Sequence, residues 1–161
     1  MNLSMIWFAF QLTLVTGISY VMGFLISDWM LSVLQPIGGL WSVISGILVL
    51  RGGEIETFHT GLNRILGTVV GCVMGALYLT IGTTIWFFPL AVFVTSLICL
   101  HYKPLKNTNI SACVTCCVVI IIWYIGAKSN VWLFALSRCV ESFFGIITAL
   151  SIFHIPLLKK T

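Results

Sequence analysis

The chain consists of long apolar runs that are separated by short polar breaks. The first run extends from Ser4 to Ile26 and ends at Ser27-Asp28, and the last run extends from Val131 to Leu157. An α-helix needs about 20 consecutive apolar residues to cross the hydrocarbon core of a bilayer. The pattern therefore predicts membrane-spanning helices.

The polar breaks divide the chain into six predicted spans. The uncharged stretch from Ile65 to Leu100 is too long for one span, and the segment Gly82-Thr-Thr84 divides it. We expect Pro36 and the two glycines that follow Ile37 to interrupt the start of the second span. The predicted spans cover approximately residues 4–26, 34–50, 57–81, 85–100, 108–125 and 131–157.

The composition excludes an ordinary soluble domain. Of the 161 residues, 60% are hydrophobic and only 7% are charged, whereas soluble domains contain about 25% charged residues. The basic residues are scattered singly between apolar runs, so the sequence offers no basic stripe for a nucleic acid. The sequence therefore predicts a single all-α integral membrane domain of six transmembrane helices over residues 1–161, surrounded by the lipid bilayer.

The distribution of lysine and arginine predicts the orientation of the chain. Cytoplasmic loops carry an excess of these residues. If the N-terminus is cytoplasmic, the loops after spans two and four and the C-terminus share its side, and they carry most of the basic residues. The residues on this side are Arg51, Arg64, Lys103, Lys106, Lys159 and Lys160, against Lys128 and Arg138 on the other. We therefore expect both termini in the cytoplasm.

The two halves of the chain can be aligned with each other. The residues that coincide at an offset of 74 include Arg64 with Arg138, Thr68 with Ser142, and Gly71 with Gly145. Small residues coincide often in membrane helices, but an offset of three spans gives the two copies opposite orientations, as in transporters built from inverted repeats. We expect a 3+3 inverted repeat, with repeat one at about residues 4–81 and repeat two at about residues 85–158.

Two segments of the sequence resemble a known family. The first combines Trp41-Ser-Val-Ile-Ser-Gly-Ile-Leu-Val-Leu50 with Gly61-Leu-Asn-Arg-Ile-Leu-Gly-Thr-Val-Val-Gly71, and the second is Arg138-x-x-Glu-Ser-x-x-Gly145. Together they resemble the membrane unit of the fusaric acid resistance / aromatic acid exporter (FUSC-like) family. The resemblance covers nearly the whole chain as one six-helix unit.

The resemblance implies a function and a set of partners. It implies a bacterial inner-membrane exporter of small aromatic carboxylic acids or related amphipathic anions, driven by an ion gradient. Plant aluminium-activated malate channels have a similar six-helix unit, so channel-like passage of anions is also compatible with it. Family members usually add a cytoplasmic domain, and many contain two membrane units. Because this chain ends at Thr161 after one unit, we expect a homodimer or an association with a separate subunit.

Arg64 and Arg138 are the first candidates for contact with a substrate. Each lies about seven residues into a predicted span, and an unpaired cation at the centre of a bilayer costs about 2.5–3.5 kcal/mol. One interpretation is that both side chains snorkel to the lipid headgroups. The other is that each guanidinium lines one end of an anion pathway, where its planar fork suits a carboxylate.

Three further polar residues accompany the arginines on the predicted substrate pathway. Glu141 is three residues after Arg138, so the two charges can form a structural ion pair, or Glu141 can couple transport to protons. Thr68 and Ser142 each lie four residues after an arginine. Their hydroxyl groups either contact the substrate or bond to the backbone one turn back.

A row of glycines predicts close helix packing. Gly67, Gly71 and Gly75 are spaced four residues apart, and Gly145 occupies the position that corresponds to Gly71. Overlapping Gly-x-x-x-Gly units allow two helices to approach closely. We predict that these glycines contact a neighbouring helix, either within the subunit or across a dimer.

The cysteines and histidines do not indicate a metal site, a cofactor or a disulfide framework. The six cysteines lie in or beside apolar runs, and His59, His101 and His154 are dispersed. A Cys-x-x-Cys pair such as Cys113 and Cys116 is redox-active in some membrane enzymes, but the loops contain no second pair to relay electrons.

The sequence thus leads to three functional hypotheses. The first is a transporter subunit, which is not an enzyme and moves a small organic anion. The alternative is a non-transporting membrane scaffold or assembly subunit, in which the polar residues serve only packing. The third is a membrane thiol redox protein.

Overall fold

The structure is a computed structural model of the chain, and it describes residues 3–31, 35–50, 54–82, 84–126 and 130–154. These residues are helical and contain no strand. The α-helices are α1 (Leu3–Leu31), α2 (Gln35–Val49), α3 (Glu54–Thr80), α4 (Phe88–His101), α5 (Asn109–Ile125) and α6 (Val131–Phe153), and short 3₁₀ segments cover Ile85–Phe87 and Lys103–Thr108. The predicted all-α class is confirmed.

Four helical segments among the described residues are long and apolar enough to cross a bilayer. They are Ile6–Met30, Glu56–Thr80, Lys103–Ile125 and Val131–Phe153. Two further apolar segments, Pro36–Val49 and Ile85–His101, are shorter. A span needs about 20 residues when it runs straight across the hydrocarbon core. The protein is therefore membrane-embedded, and the arrangement with six spans stays a prediction.

The helices differ from the predicted spans mainly at their ends. α1 continues through Ser27 and Asp28 to Leu31, because neither residue prevents the backbone from continuing its hydrogen bonds. The predicted interruption at Pro36 is wrong. Pro36 lies in the first turn of α2, where its missing N–H group would have no helical partner in any case. The segment Lys103–Thr108, which we expected as part of a loop, leads directly into α5.

Two helix ends are defined by specific residues. Gly82 follows the last turn of α3 with a φ angle of 74°, a left-handed conformation that glycine adopts without steric cost. Next to it, the hydroxyl of Tyr78 donates a hydrogen bond to the carbonyl of Thr84 at 2.5 Å. The side-chain oxygen of Asn130 accepts the backbone N–H of Trp132 at 3.0 Å and caps the start of α6. The predicted break between α3 and the following helix is confirmed.

The helices form two compact units, and each boundary between them falls inside a helix. Unit 1 contains the chain up to Gly61 and from Glu141 onward, and unit 2 contains Leu62–Val140. Unit 1 therefore comprises α1, α2, the first turns of α3 and the C-terminal part of α6. Unit 2 comprises the rest of α3, then α4, α5 and the N-terminal part of α6.

In unit 1, α2 is in close contact with α1 and with the C-terminal part of α6. A β-carbon built on Gly23 of α1 would lie 2.6 Å from the backbone oxygen of Gly38. Gly145 of α6 lies directly against the backbone carbonyl of Ser42 and leaves no room for a β-carbon. Both contacts depend on glycine, because any larger residue would push the helices apart.

In unit 2, α5 is in close contact with α3 and α4. Gly71 of α3 lies directly against the backbone carbonyl of Ala112, again without room for a β-carbon. On the α4 side, the hydroxyl of Thr95 lies 3.6 Å from the sulfur of Cys116. Glycine contacts thus bring α2 close to its neighbours in unit 1 and α5 close to α3 in unit 2.

Candidate functional site

Arg64 lies in unit 2 and is almost completely buried. Its side chain is 6% exposed. Its Nη1 atom donates a hydrogen bond to Oγ of Ser111 on α5 at 3.3 Å, and this hydroxyl in turn donates to the backbone carbonyl of Arg64 at 3.3 Å. A snorkelling side chain would leave its guanidinium at the surface. The burial of Arg64 therefore disfavours the snorkelling interpretation.

Thr68 lies one helical turn after Arg64 and is also buried. Among the residues that the structure describes, its Oγ1 atom has no hydrogen-bond partner. A buried hydroxyl without a partner costs about 1–3 kcal/mol. This hydroxyl does not bond to the backbone one turn back, so it is available to a ligand beside the turn that carries Arg64.

Arg138 is completely buried in the same unit. Its guanidinium carbon lies 5.1 Å from the centroid of the Phe134 ring, one turn earlier on α6. A guanidinium over an aromatic face is stabilised by the charge distribution of the ring. Like the side chain of Arg64, that of Arg138 does not extend to the surface of the protein.

An apolar groove of about 460 Å³ lies in unit 2 between α3 and the N-terminal part of α6. Cys72 of α3 and Cys139 of α6 both line this groove. The groove has the size of pockets that hold small organic molecules. Its lining residues are Val69, Cys72, Val73, Trp132, Ala135, Leu136 and Cys139.

Glu141 belongs to unit 1, where its side chain is completely buried. A β-carbon built on Gly38 of α2 would lie 2.7 Å from Oε1 of Glu141 and 2.8 Å from Oγ of Ser27. The carboxylate therefore occupies space that Gly38 leaves open, close to the hydroxyl of Ser27. That hydroxyl is buried and has no hydrogen-bond partner within the described part of the chain.

Ser142 lies in unit 1 beside α2 and is 1% exposed. Its Oγ atom accepts a hydrogen bond from the hydroxyl of Ser45 at 3.2 Å. One turn earlier on α2, the hydroxyl of Ser42 is buried and has no hydrogen-bond partner among the described residues. The contact between α2 and α6 in unit 1 is therefore lined by small hydroxyl side chains.

The three glycines of α3 all face α5 in unit 2. A β-carbon built on Gly67 would lie 2.5 Å from Cβ of Ser111, and one built on Gly75 would lie 2.9 Å from the side chain of Val119. Gly71, between them, lies against the backbone of α5. This glycine row forms a helix contact inside the subunit, which leaves it no room to serve as a dimer face.

The cysteines of α5 take part in helix packing. Cys116 is completely buried against Thr95 of α4, and the thiol of Cys113 lies 3.4 Å from Oδ1 of Asn109 on its own helix. All six cysteines are free thiols. Within the described ranges, no group of three or more His, Cys, Asp or Glu side chains is placed to hold a metal ion.

The sequence was compared with known proteins. A family described as fusaric acid resistance protein-like matches residues 14–152, which is most of the chain. The chain belongs to this family. No curated protein and no solved structure matches the chain. Membership in the fusaric acid resistance protein-like family identifies the protein as a membrane transporter in a general sense.

The matched region of this fusaric acid resistance protein-like chain contains all five predicted pathway residues. The structure divides them into two groups. Arg64, Thr68 and Arg138 lie in unit 2, whereas Glu141 and Ser142 lie in unit 1. The pathway itself stays a prediction, but each of the five side chains is buried.

Sequence reasoning missed two residues that contact the predicted site. Ser111 is one of two polar residues, with Thr115, in an otherwise apolar part of span five, and the spacing of Gly67 indicates a close helix contact without indicating the partner. Ser27 lies in the polar break that predicted the end of span one, which concealed its position beside Glu141. Both serines are identified by contacts between helices that are distant in the sequence.

Proposed function

We propose that the protein is a subunit of a bacterial inner-membrane transporter that exports small organic anions, with aromatic carboxylates as the substrate class. The observation that carries the proposal is the burial of two guanidinium groups, of Arg64 and Arg138, in a membrane-embedded protein. Cations in a membrane interior are costly and mark ion and substrate pathways. A guanidinium binds a carboxylate through two parallel hydrogen bonds.

The groove between α3 and the N-terminal part of α6 supports an aromatic substrate. Its lining is apolar, and it includes the ring of Trp132 and also Cys139, the residue that follows Arg138 on α6. An aromatic acid has the same two parts, a flat apolar ring and one negative charge. The buried hydroxyl of Thr68 offers a further hydrogen bond on the turn that carries Arg64.

Glu141 is our proposed link to an ion gradient. It lies three residues after Arg138 on α6, and its side chain is completely buried. In unit 1, Ser27 of α1 and Gly38 of α2 lie close to Glu141, and neither carries a charge. A buried carboxyl group that binds and releases a proton during transport would couple the flux of the anion to a proton gradient. Glu141→Gln should therefore transport without dependence on a proton gradient.

We further propose the 3+3 inverted repeat with both termini in the cytoplasm. The repeat is supported by two matching contacts: Gly71 meets the backbone of Ala112 on α5, and Gly145 meets the backbone of Ser42 on α2. In each case a glycine of the third helix of one half contacts the middle helix of the other half. The orientation is supported by the excess of basic residues on the proposed cytoplasmic side.

The assembly is proposed to be a homodimer or a complex with a separate subunit. Transporters of this architecture bind substrate where repeats meet, and a second copy or a separate subunit would add a further set of such repeats. The mass of the detergent-solubilised complex, measured by light scattering after subtraction of the detergent, tests this directly. A dimer gives twice the chain mass of 17.8 kDa, and a mass of one chain excludes both assemblies.

Accumulation of aromatic acids in cells tests the transport function. We expect cells with the wild-type protein to accumulate less benzoate and fusaric acid than cells without it. Arg64→Ala and Arg138→Ala should each abolish this difference, because the buried cation that binds the carboxylate is gone. Lys106→Ala is the matched control, since it removes a positive charge from an exposed side chain. Equal accumulation in all strains would contradict transport and favour the scaffold function.

A further inference from the structure

One hydroxyl group on α5 contacts Arg64 at two points. Oγ of Ser111 accepts a hydrogen bond from Nη1 of the guanidinium and donates one to the backbone carbonyl of the same arginine, each at 3.3 Å. The contact joins the two ends of the Arg64 residue, its backbone and its charged head. A long flexible side chain is thereby held in one direction, beside α5.

Gly67 provides the space for this contact. It lies one turn after Arg64 on α3, and a β-carbon there would lie 2.5 Å from Cβ and 2.8 Å from Oγ of Ser111. It would also lie 2.8 Å from the backbone oxygen of Thr108, which cannot move aside as a side chain can. Any other residue at this position would therefore displace Ser111 from Arg64.

We propose that Ser111 is a positioning residue, which holds the guanidinium of Arg64 inside unit 2 so that it can bind the carboxylate of a small organic anion. The inference rests on the proposed transport function. Arg64 lies less than three turns into α3, which begins at Glu54, and a long arginine side chain near a helix end can extend toward the lipid headgroups. The Ser111 hydroxyl stabilises the inward direction of the Arg64 side chain. The buried hydroxyl of Thr68 lies one helical turn after Arg64 on the same helix.

Chemical labelling of arginine tests the positioning without reference to any substrate. The full chain, in nanodiscs, is treated with phenylglyoxal, and the labelling rate of Arg64 is measured by peptide mass spectrometry with Arg138 as an internal reference. In Ser111→Ala the guanidinium of Arg64 loses this hydrogen bond, and we expect its labelling rate to rise about tenfold, a change equivalent to about 1.4 kcal/mol. The rate at Arg138 should not change.

Thr115→Val is the matched control. Thr115 lies one turn after Ser111 on the same face of α5, and its hydroxyl donates only to the backbone of its own helix, at Ser111. The substitution removes a hydroxyl from the contact between α3 and α5 but keeps the side-chain volume. Equal labelling of Arg64 in Ser111→Ala and Thr115→Val would show that Ser111 acts only in packing, and would overturn the proposal.

Benzoate transport in proteoliposomes tests the consequence for binding. Ser111→Ala should raise the KM about tenfold and leave kcat within about twofold, because the guanidinium is present but badly placed. Thr115→Val should leave both constants near the wild-type values. An unchanged KM in Ser111→Ala overturns the inference, even where Arg64→Gln abolishes transport. Wild-type transport by Arg64→Gln would instead overturn the proposed function, and the labelling rates would still decide whether Ser111 positions Arg64.

Discussion

The two units of the molecule contain the same kind of close helix contact, but different residues lie beside it. In unit 1, Gly145 of α6 contacts the backbone of Ser42 on α2. In unit 2, Gly71 of α3 contacts the backbone of Ala112 on α5. One turn before these glycines, unit 2 has Gly67 and unit 1 has Glu141. The shared glycines fix how closely the helices approach, and the differing positions determine which polar groups are buried.

The difference shows how a charged group was accommodated without opening the helix contact. At Gly67, the missing side chain makes room for Ser111 of α5. At Glu141 the relation is reversed, since the glycine is on α2, as Gly38, and the large side chain is on α6. The carboxylate side chain of Glu141 on α6 thus lies where α2, at Gly38, has no side chain.

The two units also separate the charges by sign. Unit 2 contains the buried cations Arg64 and Arg138, and unit 1 contains the buried anion Glu141. Among the described residues, the hydroxyl of Ser27 lies close to the anion of unit 1, whereas the buried thiols Cys72, Cys99 and Cys116 lie in unit 2. The arginines are proposed to bind substrate and the carboxylate to bind a proton, so the two tasks fall on different units.

The largest expected effect comes from the glycines that the two units share. Gly71→Ala and Gly145→Ala each place a β-carbon against a backbone carbonyl that cannot move aside, so each should destabilise the protein by about 1–3 kcal/mol or more. Gly17→Ala is the control, because a β-carbon there meets nothing within 4 Å. Thermal unfolding in detergent measures all three. If Gly71→Ala or Gly145→Ala unfolds at the same temperature as Gly17→Ala, the equivalence of the two contacts is wrong.

A smaller effect should distinguish the two units at Glu141. Gly38→Ala forces a β-carbon against the carboxylate of Glu141 and should destabilise the protein by about 1–3 kcal/mol. In the background of Glu141→Ala, the same substitution should cost about 1 kcal/mol less, because one of its two obstacles is removed. A double-mutant cycle on unfolding free energies measures this coupling. Strictly additive effects would show that Glu141 does not occupy the space beside Gly38.

The smallest effect concerns the hydroxyl pair of unit 1. The Ser45–Ser142 hydrogen bond is 3.2 Å long, and hydrogen bonds between membrane helices contribute on average about 0.6 kcal/mol. A cycle of Ser45→Ala and Ser142→Ala should give a coupling energy of this size. Transport activity should be less sensitive to Ser45→Ala than to Thr68→Ala, whose hydroxyl is free for a ligand. The reverse order of activities would assign the ligand-binding hydroxyl to unit 1.

Much of the fold could be predicted from the sequence because apolar runs of membrane length have few alternatives. The all-α class and the break at Gly82 are confirmed. The family, which the motifs around Arg64 and Arg138 predicted, is confirmed by the match over residues 14–152. Helix ends were less predictable. Ser27 and Asp28 indicate where an apolar run ends, but hydrogen bonding of the backbone continues α1 to Leu31.

The surroundings of the candidate site could be predicted only in part. Polar residues within apolar runs identified Arg64, Arg138 and Glu141, because such residues are costly in a membrane. Their neighbours could not be predicted, since Ser111 and Gly38 reach them from distant helices. Nor did the sequence indicate that α3 and α6 would each be divided between two units. The glycine row on α3 showed that some helix must come close, but only the structure identifies it as α5.

The central claim is that the buried arginines of unit 2 bind an organic anion during transport. The most direct test is the flux of radiolabelled benzoate from proteoliposomes that contain the purified full chain, as wild type, Arg64→Gln or Arg138→Gln. We predict that the wild-type flux exceeds that of protein-free liposomes and that each variant loses at least about tenfold, since a charge-assisted hydrogen bond contributes about 1.5–3 kcal/mol. Wild-type flux in both variants, or a wild-type flux equal to that of protein-free liposomes, would contradict the claim.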